Sequence, residues 1–153
     1  MTAEEWVKII TPCGTLAVAV AVGLIGWGQW RLARNKLRLD LFDRRYKVFD
    51  ATRNFASEIL KTATFTNDQL FIFYAGTTDA EFLFGSDVVD YLTETRTRAV
   101  KMRQLQKVYE NLPLGEERTK AVNAEHNELI WMNDQLTRMT KIYRPYLGFS
   151  HIK

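Results

Sequence analysis

The 153 residues carry 21 Lys and Arg against 18 Asp and Glu, a net charge of +3, and 46% of them are apolar. That balance is too apolar for a disordered or fibrous chain, and the length predicts one domain. A single cysteine excludes an internal disulfide framework and a cysteine-built zinc cluster.

The average hides a polarity shift along the chain. Residues 9–30 hold no charge, whereas nearly everything after Trp30 is charged and amphipathic. Pro12 through Trp30 is 19 residues, about 28 Å of helix at 1.5 Å per residue, against a hydrocarbon core of roughly 30 Å. The expected organisation is a short extracytoplasmic tail (1–11), a transmembrane helix (12–30) and a cytoplasmic helical domain (31–153). A cleaved signal peptide fits poorly, because Glu4 and Glu5 face only Lys8 and the apolar run ends in "RLARNK". Basic residues near a span stay in the cytoplasm, and Arg31, Arg34, Lys36 and Arg38 all follow it. The expected location is therefore a bacterial inner membrane, single-pass, N-terminus outside. Trp6, Trp27 and Trp30 fall at interfacial depth. Cys13, at the outer end, reads as a small apolar residue or as an intermolecular bridge.

Within the span, Thr15, Ala19 and Gly23 follow small-xxx-small spacing, which lets transmembrane backbones approach. Homo-oligomerisation is expected, and with no ionisable residue in the span a pore would need several copies.

No glycine lies between Gly28 and Gly76, and no proline between Pro12 and Pro113. Leu41, Val48 and Phe55 recur at seven, as do Phe42, Phe49 and Ala56. The pattern predicts one helix from about Pro12 to Lys61, on the order of 75 Å long. "TNDQLFIFYAG" then predicts a short helix capped by Thr66 or Asn67 and closed at Gly76. "TTDAEFLFG" predicts a smaller one ending at Gly85. A helix from Ser86 or Asp87 to Pro113 and another from Gly115 to about Tyr143 should pack as an antiparallel hairpin. Its seams are Val88, Thr95, Met102 and Tyr109 with Tyr91, Arg98, Leu105 and Leu112, against Val122, Leu129, Leu136 and Tyr143 with Glu125, Met132 and Met139. Arg98 and Glu125 break these seams, either at a solvated edge or as a polar lock on register. The predicted fold class is all-α: a transmembrane helix continuing into a long cytoplasmic helix, packed with short helices and a C-terminal antiparallel hairpin.

No nucleotide-binding glycine loop, H-E-x-x-H or C-x-x-C occurs, and His126 and His151 lie far apart. No enzyme, cofactor or metal is expected; carboxylate pairs such as Glu125 with Glu128 or Asp87 with Asp90 read as solvated helix surface. Two basic clusters remain. Arg31–Arg53 sets eight basic residues against Asp40, Asp43 and Asp50, net +5. Its first members, Arg31, Arg34, Lys36 and Arg38, suit anionic lipid headgroups at about 1 kcal/mol each. Arg96–Lys107 holds five basic residues and no acid. Arg96, Arg103 and Lys107 fall within about 40° on the helix surface, as a solvated face or as a phosphate-binding stripe, with tyrosines or Trp131 available for stacking.

"KLRLDLFDRRYKVFDATRNF" (36–55), "FLFGSDVVDYL" (82–92) and "PYLGFSHIK" (145–153) resemble a recurrent family of small bacterial single-span inner-membrane proteins, which implies that location and no activity. The layout of a short anchor and a small helical domain is similar to membrane effectors of bacterial antiviral immunity, including CRISPR-associated ones that bind cyclic oligoadenylate. Two functions follow as expectations. One is an oligomeric sensor of an anionic ligand, such as a nucleotide second messenger, that transmits the change to its transmembrane helices and perturbs the membrane in antiviral defence. The other is a membrane tether or accessory subunit that docks a protein partner. Duplex nucleic acid is not an expected partner.

Overall fold

The computed structural model describes residues 3–148, with side chains from Ala19 onward. Every regular element among the described residues is helical: α1 (Ala3–Thr62), α2 (Asn67–Gly76), α3 (Ala80–Leu83), α4 (Ser86–Asn111) and α5 (Glu116–Leu147). The all-α class and the long first helix agree with the sequence. The chain divides into two units, residues 1–40 and 41–153.

In the first unit α1 is bare. Val20, Val22, Leu24, Ile25, Trp27 and Trp30 are each more than half exposed, so no protein covers any side of the helix here. The Arg34 guanidinium lies over the Trp30 ring at 5.4 Å. Among the described residues no helix is long and apolar enough to cross a membrane. The expected span begins at Pro12, and residues 12–18 lie outside the described side chains, as do the expectations for Thr15, Cys13 and Trp6.

In the second unit α1 becomes amphipathic and is covered. Val48, Thr52, Phe55 and Ile59 are buried at spacings of four, three and four, one face of a helix. Phe55 stacks on Phe73 of α2 at 4.5 Å and meets Phe65 edge-on at 5.3 Å. The expected N-cap of α2 is a full capping box: the Thr66 hydroxyl accepts from the Gln69 amide and the Thr66 amide donates to Gln69 Oε1. Gly76 serves close packing rather than a left-handed turn, since a Cβ there would stand 2.8 Å from Ala51 Cβ. α1 itself ends at Ala63, whose φ of 55° places a non-glycine residue in the left-handed region, and its carbonyl is taken by Gln106 Nε2.

Arg45 of α1 gathers the C-terminal ends of two other helices of this unit. Its Nε donates to the Leu83 carbonyl (2.9 Å) and its Nη1 to the Tyr146 carbonyl (3.3 Å). Those are terminal acceptors of α3 and α5, the groups a helix cannot satisfy itself and the end its dipole makes negative. Phe84 and Tyr146 flank the guanidinium at 5.9 and 5.6 Å. Tyr146 donates to Asp87 Oδ1 (2.7 Å) and accepts from the Gly85 amide (3.2 Å). This anchoring carries α5 through Pro145 to Leu147, beyond the expected stop near Tyr143.

The hairpin forms, with a shifted seam. α4 buries Val88, Tyr91, Leu92, Thr95, Ala99, Met102 and Gln106, so the stripe of Val88, Thr95 and Met102 holds, and the second stripe starts at Tyr91 as expected but continues through Ala99 and Gln106, one residue later than Arg98 and Leu105. α5 buries Ala121, Glu125, Glu128, Met132, Gln135, Met139 and Tyr143, while Val122 is exposed and Leu129 and Leu136 are only half-buried. The reason is that α5 also covers α1: the Tyr143 hydroxyl bonds Thr52 Oγ1 at 3.2 Å and its ring meets Phe49 at 5.4 Å. A helix packed on two neighbours turns a wider, partly polar face inward than a two-stranded seam requires.

Two buried tyrosines make this core sensitive to alkali. Burial pushes the Tyr91 phenol up to about 12, against smaller opposing pulls from Thr95 and Arg138, and burial likewise raises Tyr143. The Thr95 hydroxyl donates to the Tyr91 carbonyl (2.8 Å), and the Tyr91 hydroxyl has no bond of acceptable geometry. Above pH 10 the unfolded chain releases these protons and the folded chain keeps them, so stability falls from pH 10 towards 12. Urea titrations should show Tyr91→Phe flattening that fall while costing less than about 0.5 kcal/mol at pH 7, since its hydroxyl is unpartnered. Tyr143→Phe should cost about 1 kcal/mol at pH 7 for the lost Thr52 bond.

Candidate functional site

The sequence places the anionic-ligand site on α4, and the helix does bring Arg96, Arg103 and Lys107 to one face. Their circumstances differ. Arg96 is half-buried and engaged: its Nη2 donates to the Thr77 hydroxyl (2.6 Å) and carbonyl (3.1 Å), and its guanidinium covers the Tyr74 ring at 4.9 Å. Thr77 is the C-cap of α2, so Arg96 finishes that helix with a cation at its negative end. Arg103 is half-buried, with a buried Nε that has no hydrogen-bond partner. Lys107 is exposed. Among the described residues no carboxylate bridges Arg103 or Lys107.

The other two cations of the cluster serve the hairpin. Arg98 Nη1 (3.1 Å) and Lys101 Nζ (2.7 Å) both hold the Glu128 carboxylate, which is only 4% exposed. Glu94 extends the network to Arg98 (3.3 Å) and Arg138 (3.0 Å). Beside it, Glu125 accepts from Gln106 Nε2 at 3.0 Å. These are the carboxylates the sequence reading placed on a solvated surface. They are buried because α5 turns its seam by one residue and α4 supplies donors opposite each. Arg98 pairs across the hairpin with Glu128 rather than with Glu125, and its guanidinium lies over the Trp131 ring at 4.5 Å. An open groove of about 520 Å³ runs along this network, lined by Asp90, Thr97, Arg98, Lys101 and Glu128. Its floor mixes both charge signs, and its cations already have a carboxylate.

A signal for Glu128 was present in the sequence: it stands three residues from Glu125 and four from Met132, inside the apolar period. Arg45 had no such signal, since its acceptors are carbonyls 38 and 101 residues away. The Asp87 carboxylate that takes the Tyr146 hydroxyl also raises that phenol's pKa, with burial adding to the effect.

On the first unit, Arg31, Arg34 and Lys36 are exposed and Arg38 is half-buried. Ala19 is exposed, and a Cβ on Gly23 would meet nothing within 4 Å. The described part of the small face expected to pack helices, Ala19 and Gly23, is therefore open in a single copy. Among the described residues no cluster of His, Cys, Asp and Glu could hold a metal ion. No family model matches the chain, and neither a curated protein nor a solved structure matches it.

The division of labour within the stripe has a direct readout. Arg96→Ala should lower stability by about 1.5–3 kcal/mol, the range for bonds that involve a charged group, with α2 amides losing hydrogen-exchange protection first. Lys107→Ala should change stability by less than about 0.5 kcal/mol.

Proposed function

We propose that the protein is a single-pass membrane tether or accessory subunit, oriented with its N-terminus outside and residues 41–153 in the cytoplasm, whose helical unit docks a protein partner. The observation that carries this reading is the bare apolar surface of α1 from Val20 to Trp30. A helix apolar on every side is stable when lipid or other copies of itself cover it. The cationic turn that follows, Arg31, Arg34, Lys36 and Arg38, suits anionic headgroups. Copies would associate through the face of Thr15, Ala19 and Gly23. The reading of residues 41–153 as a docking unit is supported by where its charged groups are spent: Arg45, Arg96, Arg98 and Lys101 all hold other parts of the same unit.

The full chain should float with zwitterionic vesicles in a density gradient and stay with them through alkaline carbonate extraction. Replacing Arg31, Arg34, Lys36 and Arg38 by glutamine should weaken only the added preference for anionic vesicles, by about 1 kcal/mol per residue at low salt. Release into the carbonate supernatant would overturn the anchor.

One observation favours the sensor reading: Arg103 offers a buried, unpartnered Nε one helical turn from the exposed Lys107. In that reading an anionic ligand, such as a nucleotide messenger in bacterial antiviral defence, binds there and shifts an oligomer between two states, which requires tighter binding to one of them. Fluorescent cyclic oligoadenylate should then bind the reconstituted chain and lose about tenfold in affinity in Arg103→Ala. Unchanged binding in that variant would remove the site.

A further inference from the structure

The outer side of α1 in the second unit carries a run of aromatic rings. Phe42 stacks on Tyr46 at 6.0 Å, Tyr46 meets Phe49 at 6.0 Å, and Phe49 meets Tyr143 of α5 edge-on at 5.4 Å. Residues 42, 46 and 49 stand at i, i+4 and i+7, one stripe of the helix. Tyr46 is 41% exposed, and Phe42 and Phe49 are half-buried. The stripe is therefore apolar surface that the core only partly covers.

The run opens into a groove between α1 and α5. Its volume is about 290 Å³, and it is lined by Phe49, Thr140, Tyr143, Arg144, Leu147 and Gly148. The hydroxyls of the lining are already used: Tyr143 shares a hydrogen bond with Thr52 Oγ1, and Thr140 donates to the Leu136 carbonyl. Arg53, whose guanidinium lies over Phe49 at 6.0 Å, pairs with Asp50. Arg144, exposed in the last turn of α5, is the one charged residue of the lining. Among the described residues no carboxylate pairs with it, and no acid lines the groove.

These features select an occupant. Apolar walls with a single cation at the rim match a molecule that has an apolar body and one anionic end. At about 30 Å³ for each water-sized group, the groove holds about ten of them. That is room for one short acyl chain and not for the two chains of a bilayer lipid. A protein helix, about 10 Å across, is too broad for it.

We infer that the α1–α5 groove binds a free single-chain amphiphile of about ten carbons with an anionic head. The chain lies on Phe49, Tyr143 and Leu147, and a carboxylate or phosphate head pairs with Arg144. The rings of Tyr46 and Phe42 continue the apolar track for a longer chain. The site lies wholly within residues 41–153, so it goes beyond the tether reading and does not depend on the anchor.

The test uses the full chain in nanodiscs of zwitterionic lipid and decanoate carrying a photoreactive diazirine at the end of its chain. Light should attach the probe to residues 46–53 and 140–148, read as mass-shifted peptides. Unlabelled decanoate and decyl phosphate should both compete, while decanol should need about tenfold more for want of the charged contact. Arg144→Gln should weaken both anions by about tenfold and leave decanol unchanged, a split that a merely structural role would not produce. Lys141→Gln removes a nearby cation that does not line the groove and should leave all three competitors unchanged. Thr140→Phe fills the groove without altering charge and should abolish labelling there, with helix content unchanged by circular dichroism. Equal competition by decanol, absence of the probe from these peptides, or labelling unaffected by both Arg144→Gln and Thr140→Phe would overturn the proposal. So would equal labelling of the same peptides by a diazirine phospholipid built into the disc, which would assign the groove to bilayer lipid. Labelling that appears only once residues 149–153 are removed would overturn it as well, assigning the groove to that segment of the chain.

Discussion

The constraint on which this structure turns is that α1 is one helix with two kinds of surface. From Val20 to Trp30 it is apolar on every side and bare, and from Val48 to Ile59 it is apolar on one side and covered. Water penalises the first arrangement at roughly 25 cal/mol per Å² of apolar surface, about 2 kcal/mol for each large side chain left uncovered. Such a surface is kept only where another medium covers it. That penalty is what supports the proposal of an anchored module.

Within residues 41–153 the fold is held by a few long-range polar contacts laid over an aromatic core. Arg45 draws the ends of α3 and α5 onto α1, Arg96 closes α2, and Glu128 ties α5 to two cations of α4. Each cation sits at a helix C-terminus or beside a buried carboxylate, where partial or full negative charge would otherwise go unmatched. Within the basic stripe the arrangement occupies Arg96 and leaves Arg103 and Lys107 without a carboxylate among the described residues.

Much of this was legible in the sequence and the rest failed for identifiable reasons. The absence of glycine and proline after Gly28 gave the end of α1 near Lys61, although the helix starts at Ala3, before the expected Pro12, and Thr66 gave the start of α2. Period alone placed one stripe of each hairpin helix, Val88, Thr95 and Met102 with Glu125, Met132 and Met139, and set most of the other off by one residue, because Glu128 looks like surface until α4 supplies Arg98 and Lys101 opposite it. The last helix read as ending near Tyr143, yet contacts from Arg45 and Asp87 to Tyr146 carry it through Pro145 to Leu147. Arg96 read as a ligand cation because no local pattern reveals that a helix end 19 residues earlier in the chain needs it. Local rules see spacing; these outcomes depend on partners distant in sequence.

The central claim is that lipid covers α1 up to Trp30 and water reaches it beyond the basic turn. Single cysteines placed along α1 in a Cys13→Ser background, in protein reconstituted into vesicles and treated with a membrane-impermeant maleimide, test this residue by residue. The account predicts no labelling at Val20, Leu24 or Trp27 and rapid labelling at Arg44 and Lys47 when the reagent reaches their side of the bilayer. Labelling at Val20 and Leu24 as fast as at Lys47 would contradict it.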